Sequence, residues 1–330
     1  MSTRERTIVI TGASSGIGRA SALRFAERGT TLLLAARRAD ALEEVAALCR
    51  KRGAVAVVVP TDTTDEQAVD RLGARALSTT GRIDVWVNDA AVSSFSPFLD
   101  MPMDEFRRVL DVNIMGYVYG ARAALRVMVR QRHGVVVNVS SIVGEVPQPY
   151  TAPYGMSRAA VRALGVSLRS ELALAKQKHV HVVTVLPPTV DTPFFRHSAN
   201  HTGRAIQAMP PVYPVEQVAA AVVKAATAPG KGTEIAVGRI GRALVRQHRM
   251  TPAAVEAQMA LQTEKTHLSR KESAPDTSGA LFEPSADPAD ATTTGGWKGR
   301  RRTISRNLLL VGALAAGAVV VARRAAAGRA

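Results

Sequence analysis

Cysteine is almost missing from this chain of 330 residues, in which Cys49 stands alone. A lone cysteine excludes an intrachain disulfide framework and any all-cysteine metal site, and it fits a reducing compartment. Acidic residues are missing from the last 34 positions. There Lys298, Arg300, Arg301, Arg302, Arg306, Arg323, Arg324 and Arg329 supply half of the net charge of +16, so the basic balance says little about the rest of the chain. The opening MSTRERTIVI has no apolar core of the kind a secretory signal needs and enters a strand-like run at once, which predicts a cytoplasmic main body. No internal repeat is present. With 46% hydrophobic residues the chain is too apolar for a disordered polymer, and its length suits one large α/β domain with appendages or two small domains.

Short β-branched runs alternate with longer amphipathic stretches over the first 240 residues. Strands are predicted at Thr7–Thr11, Thr31–Ala35, Val55–Val59, Ile83–Val87, Val135–Val139, His181–Leu186 and Glu234–Val237. Helices are predicted at Gly16–Arg28, Asp40–Lys51, Asp65–Ser78, Met103–Gln131, Pro153–Lys176 and Pro214–Ala228. Strands apolar throughout and separated by helices imply a parallel sheet covered on both faces. Right-handed crossovers then give an α/β fold with a doubly wound parallel sheet, as a single domain over 1–268. Two interruptions follow. Residues 187–214 hold Pro187, Pro188, Pro193, Pro210, Pro211 and Pro214 among Phe194, Phe195, Met209 and Tyr213, which rules out one continuous helix and predicts an active-site lid. Residues 269–296, rich in Ser, Thr, Pro, Ala and Asp without periodicity, predict a flexible linker. Beyond it, 297–330 is a basic, apolar tail.

Directly after the first strand stands Thr11-Gly12-Ala13-Ser14-Ser15-Gly16-Ile17-Gly18. Strand, glycine turn and helix in that order suit a dinucleotide: glycines allow close backbone approach, and the helix N-terminus offers free N–H groups to the pyrophosphate. Other motifs follow in order: Asp62 after the third strand, Asn88-Asp89-Ala90-Ala91 after the fourth, Asn113 in a long helix, Ser140-Ser141 at a strand end, and Tyr154 thirteen positions after Ser141. Together these resemble the short-chain dehydrogenase/reductase family, over roughly residues 5–245. The resemblance implies a Rossmann-type fold and an oxidoreductase moving a hydride between a nicotinamide and a carbonyl or secondary alcohol. It implies a catalytic set of Asn113, Ser141, Tyr154 and Arg158. The dinucleotide would be held by Gly12, Ser14, Ser15, Gly16, Ile17, Gly18, Asp62, Asn88, Ala90, Tyr154, Arg158 and Thr192, within a dimer or tetramer built on the two long helices.

The chemistry asks for an acid near the carbonyl oxygen. A free tyrosine titrates at about 10, and a fixed neighbouring cation stabilises its phenolate. The family places that cation as Lys four residues after the tyrosine, where i and i+4 share a helix face. Here the pair is Tyr154 and Arg158, and no other tyrosine is followed by a lysine at that spacing. Arginine keeps the charge and can donate to ribose hydroxyls, but it is larger, planar and does not deprotonate. Ser141 would hydrogen-bond the carbonyl oxygen, and Asn113 would order water. Asp89 and Ala91 depart from the family's Asn and Gly, and Pro188 stands where it has Gly. The rival reading is a dinucleotide-binding protein of the same fold with little turnover, a sensor or scaffold.

Leu34-Ala35-Ala36-Arg37-Arg38 ends the second strand without an acid for a ribose 2′-hydroxyl. Arg37 suits a 2′-phosphate, so NADP(H) is expected over NAD(H), the alternative being solvated loop charges. The aromatic lid predicts a hydrophobic small-molecule substrate, unless those residues only bury the lid. His197 and His201 share i, i+4 spacing, yet the sequence around them offers no carboxylate to complete a ligand set, and no metal is expected. Leu308–Ala322 is an apolar run of fifteen residues flanked by arginines. As a helix it would extend about 22 Å, short of a hydrocarbon core of about 30 Å. A membrane anchor is the first reading, with a helix packing on the enzyme or a partner as the second. Nucleic acid is not expected, since only Trp297 accompanies the charges.

Overall fold

The computed structural model describes residues 5–297. Chain order begins β1 (Arg6–Thr11), α1 (Gly16–Phe25), β2 (Thr30–Ala36), α2 (Ala39–Lys51), β3 (Val55–Pro60), α3 (Glu66–Thr80), β4 (Val85–Asn88), β5 (Ser94–Phe95), α4 (Met103–Leu110) and α5 (Gly116–Gln131). It continues with β6 (Gly134–Val139), α6 (Ala152–Leu174), β7 (Val180–Leu186), α7 (Phe194–His197), β8 (Ala199–Asn200), β9 (Arg204–Ile206), α8 (Val215–Thr227), β10 (Glu234–Ala236), α9 (Arg239–Met250), α10 (Pro252–Gln262) and β11 (Leu268–Ser273).

Among the described residues, seven parallel strands form the main sheet in the order β10-β7-β6-β4-β1-β2-β3. Alternation within each strand explains its two covered faces. Ile8 and Ile10 of β1, Leu32 and Leu34 of β2, and Val135 and Val137 of β6 pack with α1, α2 and α8. Val9, Leu33, Trp86 and Val136 point the other way, against α3 and α5. Each buried Val, Leu or Ile contributes about 1.5–3 kcal/mol, so neither face tolerates a shift of register. The strand order reverses between β1 and β4, and the crevice beyond their carboxyl ends is where doubly wound sheets bind ligands.

Three local departures from the sequence reading bear on that crevice. The helix expected over Met103–Gln131 is α4 and α5 joined through a π-turn, Asp111–Met115. Two helices after β10, α9 and α10, were not anticipated. The supposed linker over 269–296 is laid down on the domain: its start belongs to β11, which pairs with β9, and its later part crosses the sheet edge. Backbone partners supplied by the domain, rather than any periodicity of its own, order this segment. Among the described residues no helix is long and apolar enough to cross a membrane, and the apolar run 308–322 lies outside the described residues.

Helix α5 reaches β4 closely because Gly120 has no side chain. A Cβ there would stand 2.1 Å from Asn88 Oδ1 and 2.8 Å from Trp86 Nε1. Gly120→Ala should therefore destabilise the fold by about 1–3 kcal/mol, read as a lower denaturant midpoint at unchanged slope. An unaltered midpoint would contradict this close packing.

Candidate active site

The glycine turn folds as it does because two of its residues approach backbone too closely for a side chain. Gly12 adopts φ +71° and sits where a Cβ would be 2.8 Å from the Ala90 nitrogen; a Cβ on Gly18 would be 2.3 Å from the Gly12 carbonyl oxygen. The start of α1 thereby tucks against the end of β1. Ser15 gives α1 no side-chain cap; the Gly16 amide donates to the Thr292 carbonyl at 2.8 Å and the Gly18 amide to the Asp89 carboxyl, and a helix N-terminus is where an anion is favoured. Gly12, Ser14, Ser15, Gly16 and Ile17 line a cavity of about 370 Å³. Gly18 lies beneath the turn and shapes it without lining the cavity.

Ser141, Tyr154 and Arg158 line the same cavity. Ser141 ends β6 and caps the following 3₁₀ turn: its hydroxyl accepts from the Val143 amide at 3.2 Å and donates to the Pro187 carbonyl at 3.4 Å. Arg158, one turn after Tyr154 on α6, is 1% exposed. Its Nη1 donates to the Tyr117 hydroxyl and to the Val139 carbonyl, both at 3.1 Å. Its guanidinium carbon lies 4.8 Å from the Tyr154 ring centre and 5.5 Å from that of Tyr117. Burial works against its charge, but Tyr117, Tyr154 and Asp89 outweigh burial and hold Arg158 cationic. Nε and Nη2 are buried with no partner among the described residues. Two charged donors left over at the cavity wall fit the hydroxyls of a ribose, and the side-chain-free cradle of Gly12 and Gly18 fits a pyrophosphate.

Two expected site residues serve the scaffold instead. Asn88 is buried and does not line the cavity: its Oδ1 accepts from Trp86 Nε1 at 2.8 Å, and its Nδ2 donates to Asn138 Oδ1 at 2.9 Å, tying β4 to β6. Asn113 sits in the π-turn, fully buried. Its Oδ1 accepts from the Val92 amide and its Nδ2 donates to the Val92 carbonyl, each at 2.9 Å, with a further bond to Ser157 Oγ at 3.1 Å. The Asn113 amide therefore pins the β4–β5 connection to α6 and positions the wall rather than touching the cavity.

The remaining expected residues border the cavity. Asp62 resists ionisation through burial, but the Thr64 amide, the Arg108 guanidinium at 2.9 Å and the Thr64 hydroxyl prevail and hold it below the usual carboxylate range. Ala90 packs on Gly12. The Thr192 carbonyl accepts from Trp297 Nε1 at 3.0 Å. Arg37, expected on a phosphate, is engaged by backbone: Nη2 donates to the Ala280 carbonyl at 2.6 Å, and Nη1 to those of Phe282 at 2.8 Å and Leu281 at 3.2 Å. The two lid histidines do meet carboxylates that are remote in sequence, His201 lying 3.0 Å from Glu105 and His197 3.0 Å from Asp290. Among the described residues no group of three or more potential ligands could hold a metal ion.

Sequence reasoning missed Arg108 and His267, and read Asp89 only as a departure from the family's asparagine. His267 lies between Phe95 and Phe195, with ring centres 4.8 and 5.2 Å away, and burial brings it down to about 4, so it is neutral at physiological pH. With Phe194 stacked 5.4 Å from Tyr154, the wall beside the tyrosine is apolar and aromatic. No periodicity could have found His267, which reaches the cavity from beyond α10.

An enclosed crevice at the switch point of a doubly wound sheet, with a glycine turn at one end and a Ser, Tyr and Arg set at the other, defines an enzyme of dehydrogenase type. A family model described as short chain dehydrogenase matches residues 6–203, and the chain belongs to that family of oxidoreductases. It is 32% identical over 298 residues to an uncharacterized oxidoreductase, YxnA, of Bacillus subtilis (strain 168), covering 89% of this chain and 82% of that one. It is 37% identical over 188 residues to an uncharacterized oxidoreductase of Staphylococcus aureus (strain MRSA252), covering 57% and 79%. Among solved structures, an alcohol dehydrogenase of Thermococcus sibiricus complexed with 5-hydroxy-NADP matches at 26% identity and TM-score 0.61, over 71% of this chain and 95% of that one. A short chain dehydrogenase/reductase of Burkholderia phymatum in complex with NAD shares the fold at 24% identity and TM-score 0.69, over 77% and 96%.

Asp89 generates a pH prediction. Burial pushes its carboxyl up to about 7, although Arg158 and the Gly18 amide favour the anion. A carboxyl raised in the folded state stabilises the fold fully below its unfolded value near 4, and that contribution is lost as pH rises through about 7. Between pH 5.5 and 8.5, without added dinucleotide, the wild type should lose about 2 kcal/mol relative to Asp89→Asn. Parallel stability profiles for the two proteins would show that Asp89 does not titrate there.

Proposed function

We propose that this chain is an NADP(H)-dependent oxidoreductase that interconverts a carbonyl and a secondary alcohol on an apolar small molecule. The observation that carries this reading is the single cavity shared by the glycine turn and by Ser141, Tyr154 and the buried Arg158 with its two spare donors. The nicotinamide, when bound, supplies or accepts the hydride. Ser141 donates a hydrogen bond to the substrate oxygen, where charge develops during reduction. Tyr154 gives that oxygen its proton in reduction and takes it back in oxidation. Arg158 stands over the ring of Tyr154, its guanidinium carbon 4.8 Å from the ring centre, and would hold the ribose through Nε and Nη2. Because a guanidinium keeps its protons, the proton that Tyr154 gives up returns through water or a ribose hydroxyl.

Arg37 and Arg38 directly after β2 support a 2′-phosphate: the carbonyl partners of Arg37 leave its charge in place, and the carboxylate beside Arg38 is that of the exposed Asp40, paired at 3.6 Å. Solved structures of this fold are in complex with 5-hydroxy-NADP in one case and NAD in another, so the preference rests on Arg37 and Arg38. Phe95, Phe194, Phe195 and Met209 along the cavity support an apolar substrate. Val118, Leu125, Leu164 and Leu168 form a shallow apolar depression on α5 and α6, which supports a homo-oligomer through that face.

Titration of the full chain should show NADPH binding at least about tenfold tighter than NADH, equivalent to about 1.4 kcal/mol. Equal affinities would remove the role given to Arg37. Tyr154→Phe should lower turnover of hydrophobic carbonyls about 10²–10⁴-fold while leaving NADPH affinity nearly unchanged. Tight NADPH binding by a wild type that turns over no carbonyl or alcohol would favour a sensor or scaffold of the same fold.

A further inference from the structure

Residues 280–297 cross the carboxyl edge of the sheet as an extended segment whose only regular piece among the described residues is the 3₁₀ turn Pro288–Asp290. At one end the Arg37 guanidinium holds the carbonyls of Ala280, Leu281 and Phe282, and Arg38 Nη1 holds those of Ser285 at 2.9 Å and Asp287 at 3.1 Å. In the middle Arg19 donates to the Ala291 carbonyl, and the amide of Gly16, the first residue of α1, donates to the Thr292 carbonyl at 2.8 Å. At the far end Asp191 Oδ1 accepts from the amides of Gly295 and Trp297, both at 3.0 Å. The indole of Trp297 bonds the Thr192 carbonyl and packs edge-on against Phe195 at 5.9 Å.

The segment thus runs from the end of β2, past the N-terminus of α1, to the loop after β7, touching the three places from which the cavity would grip a dinucleotide. It does not fill the cavity. Ala280, Pro284, Ser285, Asp290 and Ala291 line it together with the glycine turn, and the segment meets the turn directly where the Gly16 amide holds Thr292. We propose that residues 280–297 are a retaining strap: they form the outer wall of the dinucleotide site, and the cofactor enters and leaves only when the strap lifts. The proposal rests on the reading of the cavity as a nicotinamide dinucleotide site. Its main anchors are hydrogen bonds to the charged side chains of Arg37, Arg38, Arg19 and Asp191 and the pairing of Asp290 with His197 at 3.0 Å. Of its apolar side chains only Ala280, Leu281 and Ala291 are fully buried, so polar contacts, which water or a bound phosphate can replace, supply most of what holds the strap closed. The match to the Bacillus oxidoreductase spans 89% of this chain, too much to end at residue 268, which is consistent with the strap being part of the enzyme.

The test uses the full chain and NADPH as the probe. Trp297→Ala removes the indole anchor, and Asp191→Asn weakens the acceptor of two strap amides. NADPH dissociation is followed by stopped-flow fluorescence on chasing with excess NADP⁺, and association by direct mixing. Both variants should speed dissociation by at least about tenfold, and association as well, because one opening serves both directions. Amide exchange across 280–297 should slow when the wild type is saturated with NADPH. Unchanged rates in variants that still bind NADPH would overturn the strap and leave the oxidoreductase reading standing. Much tighter binding with unaltered dissociation would also overturn it, since the segment would then be a plug. A folded wild type and variants that bind neither NADPH nor NADH would overturn the dinucleotide reading, and the strap with it.

Discussion

A guanidinium buried where strand ends meet helix α6 is the constraint on which the site depends. Removing such an ion from water costs several kcal/mol unless the surroundings replace its hydration. Here the replacement is assembled from distant pieces: the Tyr117 hydroxyl from α5, the Val139 carbonyl from β6, and the faces of two tyrosine rings. The same compensation fixes the position of Tyr154. Tyr154 cannot leave the guanidinium face without exposing a buried charge, and Tyr117 is itself anchored to Val139 at 2.8 Å. Asp89 supplies nearby negative charge and is sited by the glycine turn, so the two ends of the cavity share one electrostatic problem.

How arginine takes the place of lysine follows from this arrangement. Lysine presents a compact point charge with three rotatable donors, whereas arginine presents a plane with fixed directions. In this fold the plane satisfies two protein acceptors with Nη1 and leaves Nε and Nη2 buried without a partner among the described residues. Positioning and charge survive the exchange; the capacity to pass a proton does not. The enclosed, largely aromatic wall around Phe194 and His267 sharpens that difference, because few other groups there can carry a proton.

The sheet, the glycine turn and the Ser141, Tyr154 and Arg158 set were legible in the sequence because each is encoded locally: apolar runs of strand length, glycines at forced close approaches, a tyrosine and a cation one helical turn apart. Asn88 and Asn113 were legible as motif positions but not as to function. Whether an amide faces a ligand or ties Val92 to Ser157 depends on which backbone passes it, and the π-turn that sets this leaves no mark in hydrophobic periodicity. Residues 280–297 were misread for a related reason. Their composition is that of a linker, and nothing within them orders them. Order comes from Arg37, Arg38, Arg19 and Asp191, residues 104 to 272 positions away from what they hold, where no local pattern reaches.

That misreading changes what the arginine pair at the end of β2 means. Read as sequence, Arg37 is a free fork waiting for a phosphate; in the fold it already has three carbonyl partners. The two are compatible because a carbonyl satisfies hydrogen bonds without cancelling charge. A phosphate adds full opposite charge and bidentate geometry that a neutral carbonyl lacks, so a 2′-phosphate arriving at the end of β2 would displace some of those carbonyls rather than be shut out by them. The strap would then give way first at Ala280–Phe282, while Asp191 and Trp297 keep the other end closed over the nicotinamide side. NAD(H), which lacks that phosphate, would leave the Arg37 contacts intact. On the proposed reading, Arg37 and Arg38 would link cofactor choice to the closure of the wall over the dinucleotide.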